Sequence, residues 1–129
     1  MRIRVSKDLA GLKAEARASI DRAAEAIRLR YITGGDGQAM VYQMKADEAS
    51  RFLSLSEPPL DLTGFPLLQA EVGITASDPT ALASLWRDMR AEWIAAAASI
   101  ERLRLAAKSA VDAATCPAEI AAAKAVEWP

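Results

Sequence analysis

The sequence predicts an all-α protein: an elongated antiparallel helical hairpin or bundle around one long Ala-rich helix at about 78–114, closed by a short C-terminal helix. Three observations carry this. From Asp78 to Ala114 apolar residues recur every three or four positions, so Leu82, Leu85, Trp86, Met89, Trp93, Ala96, Ile100, Leu103, Ala107 and Ala110 share one stripe. That run contains no Gly, and its single Pro, Pro79, stands at its start. Hydrophobic residues make up 52% of the chain but aromatics only 5%, and Ala supplies much of the difference. Ala favours helix and close helix approach while burying little surface per residue. The core of a monomer should therefore be thin. A 129-residue chain fits one helical domain, 1–129.

Arg2 to Val5 alternate charged and apolar residues, which fits a short strand, an extended arm at 1–5 or the cut edge of a longer chain. From Ser6, a candidate N-cap, a helix is expected to about Ile32, with Leu9, Leu12, Ala16, Ile20, Ala23, Ile27 and Tyr31 on one face. Thr33-Gly34-Gly35-Asp36-Gly37 breaks it, the glycines permitting positive φ and Asp36 able to cap the next helix. That second helix spans roughly Gln38 to Leu53, and a break this short predicts an antiparallel αα-hairpin.

Leu55 to Pro66 is a connector in which Pro58 and Pro59 stop any helix. Its Leu60, Leu62 and Phe65, with Leu68 beyond, should pack onto the bundle. Pro66 opens about two turns, ended at Gly73. Asp78-Pro79 then starts the long helix as cap and first helical residue, and Ala113-Ala114-Thr115 ends it. Cys116-Pro117-Ala118-Glu119 is a further start, for a helix to about Val126.

Net charge is −1, which gives no case for nucleic-acid binding. The distribution is uneven: residues 1–33 carry eight Lys/Arg against four Asp/Glu, whereas residues 34–78 carry two against seven. Solvated faces explain this, and so does pairing of the basic helix with the acidic middle of the same or another chain. The N-terminal segment lacks the apolar stretch of a signal peptide, and no segment is long and apolar enough to cross a bilayer. The expectation is a chain made in the cytoplasm, without a membrane partner.

The chain has no His and one Cys, so the usual acid–base and metal-binding residues are missing. Gly34-Gly35-Asp36-Gly37 follows a helix and lacks the Lys-Ser/Thr pair of a phosphate loop. Asp47, Glu48 and Glu71 read as solvated or i,i+4-paired carboxylates. Cys116, at a helix start with no companion base, reads as capping or partly buried. No catalytic residue, cofactor or metal site is expected, and no enzyme activity.

The residues singled out are aromatic and apolar. Trp86 and Trp93, seven apart, lie near one face of the long helix and are either core or inter-chain anchors. Trp128 either plugs the bundle end or docks a partner. Tyr31, Tyr42, Ile100 and Leu103 complete the candidate interface. The second helix and connector cover only part of the ten-position stripe, so a homo-oligomer is expected.

Ala26 to Thr33 followed by the Gly break and Gln38 to Ala49 resembles helical segments of tail proteins from tailed bacteriophages and prophages. So does Phe65 to Thr75, as do the long Trp-containing Ala-rich helix, Ile100 to Lys108 and the closing Trp128-Pro129. The likeness runs from about Ile20 to Pro129, and the Tyr31–Met40 and Phe65–Thr75 stretches are its distinctive parts. The resemblance implies a non-enzymatic structural protein of the virion, an adaptor or hinge between tail fibre and baseplate, assembled in the host cytoplasm. The alternative is a fibre-assembly chaperone absent from the mature particle. Tail-fibre and baseplate proteins are then the partners, and threefold fibre symmetry implies a trimer.

Overall fold

The structure is a computed structural model that describes residues 2–32 and 34–129, with side chains from Asp8 onward apart from Thr33 and Asp36. It is all-α: α1 (Arg2–Arg28), α2 (Asp36–Leu53), α3 (Pro66–Glu71), α4 (Pro79–Ala113) and α5 (Pro117–Lys124). Among the described residues the nearest thing to β-structure is one isolated bridge, Val72 to Ala76, at the turn where Gly73 takes φ 90°.

The start signals hold where a proline fixes them. Asp78 accepts the N–H of Ala81 at 2.9 Å on its side chain and that of Leu82 at 3.0 Å on its carbonyl, capping α4 as expected. Pro66 and Pro117 stand in the first turns of α3 and α5. The second start differs slightly, because Gly35 at φ 109° takes the N-cap position of α2 and Asp36 is already helical. The extended arm expected at 1–5 is corrected: the backbone is helical from Arg2, since nothing between Arg2 and Ser6 breaks a helix, and Ser6 falls inside α1 rather than at its start. Met1 lies outside the described residues.

Two compact units divide the chain: residues 1–32 with 95–129, and residues 33–94. The long helix α4 contributes its second part to the first unit and its first part to the second. Each unit has its own core.

In the first unit α1 and the second part of α4 run antiparallel. Arg17 meets Asp112 at 2.6 Å, Asp21 meets Lys108 at 3.0 Å and Arg104 at 2.9 Å, and Arg28 meets Glu101 at 3.0 Å. Beneath this ladder Ala16 and Ile20 pack with Ala107, Val111, Ala114 and Ile120, and farther along Ala24 and Ile27 close on Ile100. Trp128 packs against both clusters, so it plugs the core of this unit. Ala16, Ile20, Ala24 and Ile27 of α1 are thus buried by the second part of α4 and by α5.

In the second unit Ala49 and Phe52 of α2 meet Phe65 and Leu68, and Leu82, Ala83 and Trp86 of α4. Phe52 and Phe65 stand edge to face at 5.4 Å, and the Arg51 guanidinium lies 4.8 Å from the Phe65 ring. The connector packs as expected through Leu62 and Phe65, but Leu60 is fully exposed. Pro58 and Pro59 stiffen the chain before it, and the Asp61 side chain accepts the Thr63 N–H at 3.0 Å. That turn favours one of the two leucines for burial.

Candidate functional site

The structure disperses the residues that sequence selected. Trp86 is 5% exposed and Ile100 fully buried, so both are core residues and unavailable to another chain. Their partners come from distant sequence: Trp86 packs with Phe52 and Leu68, Ile100 with Ala24 and Ile27. Leu103, Trp93, Tyr42 and Trp128 are half-buried, and Tyr31 is exposed. They divide between the units, Tyr31, Ile100, Leu103 and Trp128 in the first and Tyr42, Trp86 and Trp93 in the second.

The acidic residues are also sorted. Asp47 accepts an i,i+4 hydrogen bond from Gln43 at 3.4 Å, as expected of a solvated carboxylate. Glu48 is not solvated but 3% exposed, and it accepts the backbone N–H groups of Leu67 and Leu68 at 3.0 Å. Burial pushes the Glu71 carboxyl up, yet hydrogen bonds from Lys45 and Thr75 outweigh it and leave the group below its ordinary range. Lys45 is held between Glu71, at 2.8 Å, and the Trp86 ring, at 5.1 Å.

The other shifted carboxyls share that direction. Asp21 is lowered by hydrogen bonds from Lys108 and Arg104, and Glu101 by Arg104, while Arg104 itself is raised by both acids. The Thr63 N–H lowers Asp61, and the Thr115 hydroxyl and Cys116 thiol lower Glu119. Cys116 occupies the N-cap of α5, half-buried, with its thiol 3.4 Å from Glu119 Oε1. A general acid working near neutrality needs a raised carboxyl pKa. Of the lowered groups, Asp21, Glu101 and Glu71 each join two helices, and Asp61 and Glu119 hold local turns. Among the described residues no group of three or more His, Cys, Asp or Glu is placed to hold a metal ion.

What remains as a candidate site is a groove of about 500 Å³ in the second unit, between α2 and the first part of α4. Ala46, Ala49 and Leu53 give it an apolar lining, and Asp47, Ser50 and Ser54 edge it on the α2 side. Arg87 and Arg90, one helical turn apart, form the α4 side. Ala46 and Ala49 are themselves buried, so half-buried Leu53 is the apolar lining residue with surface left to offer. Chemically the groove offers two guanidiniums beside the partly exposed Leu53. The two arginines were not visible as a site in the sequence; the available signal was their i,i+3 spacing in an otherwise acidic stretch.

No helix among the described residues is long and apolar enough to cross a membrane. No protein-family model matches the chain, and no curated protein and no solved structure matches it.

Proposed function

We propose that this chain is a non-enzymatic structural protein of a bacteriophage tail, an adaptor or hinge between tail fibre and baseplate that acts as a homo-oligomer, most simply a trimer. The observation that carries the reading is where the large apolar side chains lie outside the cores. Tyr31 is 45% exposed, Met40 66% and Ile74 82%, and all three fall in the two stretches that most resemble phage tail proteins. Met44, Leu60 and Met89 add to them. Side chains of this kind gain by being covered by protein, and Met in particular adapts to the shape of a partner. The downward-shifted carboxyls support a scaffold rather than a proton-transfer site.

Co-expression with candidate tail-fibre and baseplate proteins tests the proposal. A tagged copy should purify with both, in a complex whose mass corresponds to several copies of the chain. A complex with unassembled fibre alone, lost when the tail is completed, would replace the adaptor by an assembly chaperone. Failure to bind either protein would end both readings.

A further inference from the structure

We infer that the Arg87–Arg90 groove takes an acidic, amphipathic segment of a partner protein, one apolar side chain entering the recess while neighbouring carboxylates meet the two guanidiniums. The inference rests on the adaptor reading and adds to it the chemistry of the partner.

Charge carries the argument. Residues 33–94 contain nine Asp/Glu and four Lys/Arg, so this unit is acidic by five charges. Two of its four cations are committed to the fold. Lys45 is clamped by Glu71 and Trp86, while Arg51 lies on the Phe65 ring and donates to the Gly64 carbonyl at 3.3 Å. The other two, Arg87 and Arg90, stand together on one side of one groove. Arg87 contacts the adjacent Asp88 at 3.2 Å, with both side chains more than 60% exposed, a pair that exchanges readily for a better acceptor. Arg90 has no ion-pair partner among the described residues. In this acidic unit the two cations left exposed thus stand beside one recess, where an anionic group can reach both.

The lining chooses among anions. A free inorganic anion would satisfy the arginines but leave the exposed part of Leu53 uncovered, Ala46 and Ala49 being already buried. A peptide with an apolar side chain and carboxylates about one turn apart covers both, and guanidinium–carboxylate pairs fix its direction. Asp47 on the far edge repels carboxylates there, so the acidic side of the ligand must face α4.

The test uses three synthetic peptides of about 14 residues with the same Leu spacing, carrying Glu, Gln or Lys at the remaining positions. Fluorescence anisotropy against the full chain, at about 50 and about 300 mM salt, reads their affinities. The Glu peptide should bind at least about tenfold tighter than the Gln peptide, lose affinity with salt, and exceed the Lys peptide by more. The double variant Arg87→Glu, Arg90→Glu should invert that order while its thermal melt stays unchanged, because both side chains are exposed. Equal binding of the three peptides, or an unchanged order in the double variant, would overturn the inference. So would displacement of the Glu peptide by millimolar phosphate with no effect of Leu→Ala in the peptide, which would make this a small-anion site. Because the isolated chain is used, failure here leaves assembly with fibre and baseplate to its own test.

Discussion

The Glu48 carboxylate accepts the backbone N–H of Leu68 at 3.0 Å, and through the neighbouring N–H of Leu67 it closes the N-terminal end of α3 onto α2. The donors at a helix start have no partner within the helix, so a buried carboxylate from another helix supplies what a local cap would. Phe65, in the N-cap position of α3, makes no side-chain cap bond. Glu48 takes over that task.

Glu48→Ala should therefore destabilise the second unit by about 1.5–3 kcal/mol, since it removes charge-assisted bonds and leaves buried N–H groups unpaired. Glu48→Gln keeps one acceptor oxygen and should cost less. Urea unfolding followed by Trp fluorescence measures both; an Ala variant as stable as the parent would contradict the capping role.

Acid should loosen the first unit. Asp21 lies below its ordinary 3.8 and Glu101 below its ordinary 4.5 in the folded chain, because Lys108, Arg104 and Arg28 stabilise the ionised forms. The unfolded chain then binds more protons in acid than the folded one, so this stabilisation is complete at neutral pH and is lost as pH falls through and below those values. The Asp21 side chain is 46% exposed, so its share is about 1 kcal/mol or less and shrinks with salt. Asp21→Asn should flatten the dependence of the urea midpoint on pH between about 6 and 3.

Ile100→Ala should cost about 2–5 kcal/mol, because Ile100 is fully buried between Ala24 and Ile27. Leu60→Ser should change stability by less than about 0.5 kcal/mol, since Leu60 is fully exposed. Paired thermal melts compare them. Equal effects would mean that burial at these two positions is misassigned.

Met40→Glu together with Met44→Glu changes the outer face of α2, where both side chains are at least 48% exposed. The melt should be unaffected, while co-purification with fibre or baseplate protein should fall several-fold. Unchanged co-purification would move the docking surface elsewhere.

Much of the architecture was legible because prolines and period announce it. Asp78-Pro79, Pro66 and Pro117 each mark a helix start that the structure keeps. The first start was not legible, since no residue before Ser6 opposes helix. The apolar stripe of α4 was visible, but its division was not. Periodicity identifies an apolar face without saying what covers it, and Ile100 is covered by residues more than 70 positions away in sequence. Glu48 escaped for the same reason, its donors returning from 19 and 20 residues downstream. The arginine pair stands out only after Lys45 and Arg51 are seen to be occupied.

The central claim is that the chain is a lasting part of a phage tail. Quantitative mass spectrometry of particles purified from cells carrying the gene tests it most directly. The chain should be present in finished particles at a fixed ratio to the fibre protein, retained after high-salt washing. Its absence from finished particles, with the fibre and baseplate proteins present, would contradict it.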